Sequence, residues 1–426
     1  MISQAELTRF VYETGSPFRR LDALLADVPA NPDLTPINMT VGAPRHAPPD
    51  GVLGAITDCA DGFSKYPPIS GTVQYRQAVS DWIERRYKLE PGAINPQSMV
   101  LPLNGSREGL TLAANCARHL TRQTTAQLRP VVIMQNPFYQ AYAVAALTAG
   151  ADVFLLDDDD LSPAQVVPDV LGRAIAAYIA SPTNPQGDVL SEDDWNAWIK
   201  AARTHDFFLF ADECYSEIYR ETPPVGALEV AFKRTGSADK VVSFNSLSKR
   251  SNLPGLRTGF AAGCPKFITA FTKLRNMGGP QVPLPILNAA KGCWADEAHV
   301  ERSRALYQDK WRLVDKMLGE NSDQPAPDAG FFLWLKLPPS ISDIQASTDL
   351  WRDFSVRTIP GSYLQYPKAG QSNGTDRLRL ALVDDLETTA QALERLKHFL
   401  AGARNLAGGS KAERNAASTV HAHKGH

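Results

Sequence analysis

The stretch Ser243-Phe-Asn-Ser-Leu-Ser-Lys-Arg-Ser-Asn-Leu-Pro-Gly-Leu-Arg-Thr-Gly259 sets one lysine, Lys249, among small hydroxyl residues, with Arg257 eight positions further on. A solvated loop lysine is the ordinary alternative, but it has no need of such neighbours. A lysine forms a Schiff base with an aldehyde only when its amine can lose a proton. Burial and a nearby cation both favour that loss. Arg257 can supply the cation while pairing with a phosphate. Ser246 and Ser248 can donate to the same phosphate.

The rest of the chain gives this stretch its setting. With 426 residues, there is material for two or three domains and a sizeable core. Hydrophobic residues make up 43% and charged residues 21%, as in ordinary globular proteins. The formal net charge of -2 speaks against a dedicated nucleic-acid binder. Residues 1–18 carry Glu6, Arg9 and Glu13 and do not read as a signal peptide. The most apolar stretch, 141–156, is broken by Gly150 and Asp152 and is too short to span a bilayer. The five cysteines are scattered, with no CxxC pair, so neither a metal site nor a disulfide framework is expected. A reducing cytoplasm is the expected setting.

Short apolar runs read as buried strands: 131–134, 153–156, 176–180, 207–211, 241–244 and 259–262. Helical patterns lie between several of them. Residues 71–87 carry apolar positions at helical spacing, and Ser191 with Asp194 signals the start of a helix over 192–203. Alternation of this kind predicts an α/β protein with a parallel sheet covered on both faces. Beyond Pro285 the pattern changes. A long helix over 294–318, strands at 330–335 and 377–382, and a helix over 386–401 suggest a smaller α/β unit. The expected divisions are therefore an N-terminal arm (1–50) belonging to the small domain, a large domain (51–285), a small C-terminal domain (286–402) and a disordered tail (403–426).

Ligands of open parallel sheets bind beyond the carboxyl ends of the strands. Asn104-Gly-Ser-Arg-Glu-Gly109 follows such a run and opens a helix, where free backbone N–H groups favour a phosphate. Taken alone, this signal is weak, and an ordinary capped turn explains it better. Asp212 ends one strand and leads into Glu213-Cys-Tyr215, and Asn184 stands in the rigid turn Ser181-Pro-Thr-Asn-Pro-Gln-Gly187. A helix cap and simple turn chemistry are their bland readings. Together with Lys249 these parts match pyridoxal 5'-phosphate. That cofactor needs a lysine for its aldehyde, a carboxylate beside its pyridine nitrogen and a cradle for its phosphate.

The chain resembles the class I aminotransferases of the fold type I pyridoxal-phosphate family, from about Asn38 to Leu400. The motifs occur in the family's order: Gly42-Ala-Pro44, Tyr66 with Gly71, Gly105-Ser106, Pro137-Phe-Tyr139, Ser181 to Gly187, Asp212 to Tyr215, Ser246 to Gly259 and Arg377-Leu-Arg379. Thr258 replaces the family's usual aliphatic residue between arginine and glycine. The resemblance implies a large domain with a mostly parallel seven-stranded sheet and a smaller α/β domain. It implies that Lys249 binds the cofactor covalently and shuttles the substrate's α-proton. Asp212 would face the pyridine nitrogen, Tyr215 and Asn184 the phenolic oxygen, and Tyr139 the ring. Gly105, Ser106, Arg107, Ser246, Ser248 and Arg257 would line the phosphate site. Tyr66 would reach the phosphate held by the other subunit of a homodimer. Arg379, with the Gly42 backbone, would bind the substrate α-carboxylate as a fork.

Within the family, residues 136–142, 212–219 and 246–257 are most similar to N-succinyl-L,L-diaminopimelate aminotransferases of lysine and cell-wall biosynthesis. Asp296-Glu-Ala-His-Val300 and Pro360-Gly-Ser-Tyr-Leu364 fit them too, whereas 43–46 and 278–283 differ. Such a substrate brings a distal carboxylate, for which Arg20, Arg45 and Arg107 are candidates. Aspartate, aromatic or broad specificity, with glutamate as the usual donor, is the alternative within the class. β-Elimination on the same cofactor is another. A transcriptional regulator would need a DNA-binding segment, and the arm and tail carry no such pattern.

Overall fold

The computed structural model describes residues 1–121, 128–157, 160–319, 326–367 and 375–421. The chain forms two compact units. One contains Met1–Gly15, Ala43–Tyr307 and Asp328–Gly330, and the other Ser16–Gly42, Gln308–Pro327 and Phe331–His426.

The first unit is built on seven strands: β1 (Val100–Leu103), β2 (Val131–Gln135), β3 (Asp152–Leu156), β4 (Ala174–Ala180), β5 (Phe208–Asp212), β6 (Val241–Ser246) and β7 (Gly259–Gly263). Their order in the sheet is β1-β7-β6-β5-β4-β2-β3. β3, β2, β4, β5 and β6 pair in parallel, and β7 runs against both β6 and β1. The reversal has a local cause. The chain leaves β6 at Ser246 and comes back beside it, Ser246 opposite Gly259, without crossing a face of the sheet. The Lys249 stretch is therefore the connection between these two strands. Strands β4 to β7 are buried along their whole length, as the continuous apolar runs require. The core of this unit gathers Trp82, Trp195, Trp198 and Trp294 with the strand residues Val131, Ile179, Leu209 and Val241.

Helix positions follow from their caps. Thr72 accepts from the Tyr75 amide to open the helix Val73–Tyr87, and Lys88 closes it in the left-handed region. Ser191 and Asp194 form the capping box read from the sequence, at the head of Glu192–His205. The helix Ser106–Leu120 sits close to the sheet because Gly109 has no side chain. A Cβ there would collide with Leu103 Cδ1 and lie 3.2 Å from Phe244 Cε1.

The expected single helix over 294–318 is in fact two, Leu284–Ala295 and Ala298–Leu318. Asp296 adopts an extended backbone, and its Oδ1 accepts from the Ala298 amide at 2.9 Å, so a side-chain cap interrupts the helical path. The unit boundaries also fall elsewhere than expected. Residues 1–15 belong to the large unit, where Ile2 and Val153 exchange backbone hydrogen bonds. Residues 286–307 belong there as well.

In the second unit, β8 (Phe332–Lys336) and β9 (Arg377–Ala381) pair antiparallel, and Ile359–Pro360 adds to the other side of β9. Leu333, Leu335, Leu378 and Leu380 face a core with Trp311, Leu393 and Leu396. The last helix runs Leu386–His421, past the expected end at Ala401 and into the stretch read as a disordered tail. Residues 422–426 of that tail lie outside the described residues. Among the described residues, no helix is long and apolar enough to cross a membrane.

Gly109→Val overpacks the helix–sheet contact, at a cost of about 1–3 kcal/mol. It is expected to lower the melting temperature and weaken pyridoxal-phosphate retention together, read by thermal melting and equilibrium dialysis. Unchanged retention would separate the helix position from the site.

Candidate active site

In the first unit, Asp212, Ser246, Ser248 and Lys249 lie at the carboxyl ends of β5 and β6. Lys249 lies on the single helical turn Leu247–Arg250 that follows β6. Ser246 caps that turn, its Oγ accepting from the Ser248 amide at 3.1 Å and donating to the Thr258 carbonyl at 3.0 Å. The Ser246 and Ser248 hydroxyls are 2.9 Å apart. Lys249 Nζ stands 5.8 Å from the centre of the Tyr215 ring.

Asp212 is the last residue of β5 and is buried. The Tyr142 hydroxyl donates to its Oδ2 at 2.6 Å, and the Cys214 amide donates to its Oδ1 at 3.3 Å. Its backbone carbonyl accepts from the Ser181 amide at 3.1 Å. That bond ties the turn bearing Asn184 to the end of β5. Tyr139 and Tyr142 meet edge to face, with centroids 5.8 Å apart. Arg107 Nε donates to the Tyr139 hydroxyl. Gly105 has φ +78°, and a Cβ on it would collide with Arg257 Nη2. Arg257 Nη2 donates to the Asn104 carbonyl at 3.2 Å, which brings the two phosphate-binding candidates side by side.

Burial dominates the electrostatics. It pushes the Asp212 carboxyl up, against the Tyr142 and Cys214 hydrogen bonds. Burial also raises Tyr142 and Cys214 well above their ordinary values, and nearby Asp212 adds to both shifts. Tyr139 is raised by burial and drawn back by Arg107. A buried carboxylate of this kind is stabilised by a cation placed against it.

Pyridoxal phosphate fits these residues. Without a side chain, Gly105 lets the Arg257 guanidinium lie against it, and the Ser246 and Ser248 hydroxyls and the Arg257 guanidinium are the donors a phosphate takes. Asp212 could accept from a protonated ring nitrogen, and Lys249 could supply the amine.

A second cluster lies in the other unit. Arg379 alternates with the core residues Leu378 and Leu380 and so faces the opposite side of β9. It is 6% exposed. Its Nη2 donates to the Thr40 carbonyl at 2.9 Å, and its guanidinium lies 4.5 Å over the Phe332 ring. Gly42 meets the same ring, which a Cβ would strike. Arg20 stacks at 3.8 Å over Tyr363 in this unit, while Arg45 is exposed in the first. Tyr66 is 97% exposed, on the surface of the first unit. Among the described residues, no group of His, Cys, Asp or Glu could hold a metal.

Sequence reasoning gave no role to Tyr142 or Phe332. Tyr142 was within reach of it, because it follows Tyr139 by three positions and so shares a helix face with it. Phe332 had no such signal.

An amine, a buried carboxylate and clustered hydroxyl and guanidinium donors at the strand ends are the groups that a pyridoxal-phosphate site needs. The chain belongs to the aminotransferases of classes I and II, whose family pattern matches residues 35–396, and it is a pyridoxal-phosphate-dependent transaminase. It is 29% identical over 361 residues to an LL-diaminopimelate aminotransferase of Dehalococcoides mccartyi, covering 82% of this chain and 88% of that one. It is 30% identical over 396 residues to a 4-dedimethylamino-4-oxo-anhydrotetracycline transaminase of Streptomyces rimosus, covering 92% and 99%. An aminotransferase structure from Neisseria meningitidis superposes with a TM-score of 0.84 at 31% identity, covering 91% and 98%.

The raised Asp212 carboxyl gives a pH signature. The folded protein holds this proton more tightly than the unfolded chain, so stability falls as pH rises from the ordinary value of 3.8 through the folded one. Asp212→Asn removes that loss, and its amide can still serve both Tyr142 and Cys214. Cofactor-free D212N is expected to melt above cofactor-free wild type at neutral pH, and the gap to close in acid. A gap independent of pH would contradict an ionised, burial-strained carboxylate.

Proposed function

We propose that the protein transaminates a diaminopimelate-class amino acid with 2-oxoglutarate as acceptor, N-succinyl-L,L-diaminopimelate being the expected substrate. The observation that carries the reaction is the Lys249 turn beside the Tyr215 ring and the Ser246–Ser248 hydroxyl pair. The substrate class is supported by the similarity of residues 136–142, 212–219 and 246–257 to that group of enzymes. Relatives named for LL-diaminopimelate support it too.

When bound, pyridoxal phosphate supplies an aldehyde and an electron-withdrawing ring that stabilises negative charge at the substrate α-carbon. Lys249 Nζ accepts the α-proton and is the group that returns it. Asp212 holds the proton on the ring nitrogen, and Tyr142 keeps the Asp212 carboxylate fixed. Asn184 and Tyr215 orient the phenolic oxygen, and Tyr139 covers the ring face. Gly105, Ser106, Arg107, Ser246, Ser248 and Arg257 hold the phosphate. Arg379, backed by Thr40 and Phe332, takes the α-carboxylate as a bidentate fork, with the Gly42 backbone beside it. Tyr66 completes the phosphate site of a second copy, so the working unit is a homodimer.

Lys249→Ala is expected to abolish transamination and to leave any pyridoxal phosphate bound noncovalently, removable by gel filtration in denaturant. Cofactor that stays attached under those conditions would contradict the role of Lys249. Arg379→Ala is expected to raise KM for amino and keto acids at least tenfold, the loss of about 1.5–3 kcal/mol of charged hydrogen bonding. Unchanged KM with a lower melting temperature would make that arginine structural. A donor panel with 2-oxoglutarate tests the substrate: N-succinyl-L,L-diaminopimelate, LL-diaminopimelate, aspartate and an aromatic amino acid. The first is expected to give the highest kcat/KM. A clear preference for aspartate or the aromatic donor would replace the diaminopimelate reading.

A further inference from the structure

The turn that carries Lys249 has four residues, Leu247–Arg250. A helix that short does not hold itself, because nucleation costs more than its few hydrogen bonds return. Its place must come from tertiary ties. Ser246 secures the front of the turn. The back is secured by the three residues after Lys249, and all three reach the segment 293–303 of the same unit.

The Arg250 side chain is fully buried. Its Nη1 donates to the Cys293 carbonyl at 2.6 Å, and its Nη2 to Glu297 Oε1 at 2.7 Å and the Asp296 carbonyl at 3.3 Å. The guanidinium lies 5.5 Å from Trp82 and 5.1 Å from Trp294. Asn252 Nδ2 donates to Ser303 Oγ at 3.1 Å and to the Ala47 carbonyl at 3.3 Å. Between them, Ser251 Oγ lies 2.8 Å from His299 Nε2, and His299 Nδ1 lies 2.7 Å from Asp296 Oδ2. A carboxylate only accepts, so Nδ1 carries the proton; in the neutral ring Nε2 accepts from the Ser251 hydroxyl.

This serine–histidine–aspartate line has the connectivity of a hydrolase triad, but Ser251 is 0% exposed and no substrate can reach it. Its use is mechanical. The same Asp296 interrupts the helical path, its other carboxylate oxygen taking the Ala298 amide. That break turns His299 and Ser303 toward the Lys249 turn. The two stretches Lys249-Arg-Ser-Asn252 and Asp296-Glu-Ala-His-Val300 are thus the two halves of one contact.

We propose that Ser251, His299 and Asp296, flanked by Arg250 and Asn252, are positioning residues that fix the Lys249 amine for proton transfer. The proposal rests on the reading of Lys249 as the proton-transferring group. Ser251→Ala removes one hydroxyl, and His299→Gln keeps an amide able to bridge, so neither depends on refolding a cavity; His299→Ala breaks the line. In the cofactor-free full-length protein, the 247–252 amides are expected to exchange about tenfold faster in S251A and H299A than in wild type. Amides of β4 are expected to be unchanged. In the holoenzyme, kcat is expected to fall on the order of 10- to 100-fold, with KM within about twofold. H299Q is expected to recover part of kcat. S251A and H299A are expected to be non-additive when combined. Wild-type exchange at 247–252 with undiminished kcat would overturn the proposal, whatever happens to the melting temperature. The exchange measurement needs neither cofactor nor substrate, so it decides on the clamp even where the reading of Lys249 fails.

Discussion

A carboxylate buried at the end of a strand is the constraint on which the large unit depends. Asp212 ends β5, a strand enclosed on both sides by parallel neighbours, so its charge has little water to lean on. Two donors, the Tyr142 hydroxyl and the Cys214 amide, offset part of the cost of desolvation. The remainder still lifts the carboxyl above its ordinary range. A protein carries such a group at a loss unless a cation completes it, and in the proposed function that cation is the protonated pyridine nitrogen. The Ser181 amide on the Asp212 carbonyl passes the same placement on to the Asn184 turn.

Two further buried carboxylates anchor the chain just beyond Asp212. Glu213 accepts from the Tyr87 hydroxyl at 2.9 Å, the Ala227 amide at 2.7 Å and the Ser243 hydroxyl. Glu217 receives Arg86 at 2.7 Å and Arg304 at 3.3 Å. Breaking a buried pair of this kind by removing one partner costs roughly 3–5 kcal/mol. Tyr215 lies between these two anchors, so its ring is held from both sides along the chain. The segment 212–217 thus carries the site candidates Asp212 and Tyr215 between and beside the anchors Glu213 and Glu217.

Much of this was legible in the sequence, and the limits have physical causes. The strands were readable because burial on both faces leaves uninterrupted apolar runs, as in β4 and β5. The capping box at Ser191 was readable because it is local chemistry. The direction of β7 was not, since hydrophobicity carries no sign for strand polarity. The break at Asp296 was missed because a helical period continues on either side of it, and only the Asp296–Ala298 cap interrupts it. Among the candidate site residues, Lys249, Asp212, Asn184 and Arg257 stood out because they are polar residues in tight local patterns just after apolar runs. Phe332 did not, because its partners Gly42 and Arg379 are far away along the chain, and His299 did not, because Ser251 is 48 residues from it. The end of the last helix was misjudged from composition alone, since Ala and Lys are helix formers as readily as they are tail residues.

The central claim is that Lys249 is the amine that takes the cofactor. The most direct test is borohydride reduction of the holoenzyme, followed by proteolysis and mass spectrometry of the lysine peptides. The account predicts a phosphopyridoxyl group on Lys249 and on no other lysine. The same group on a different lysine, or on none, would contradict it.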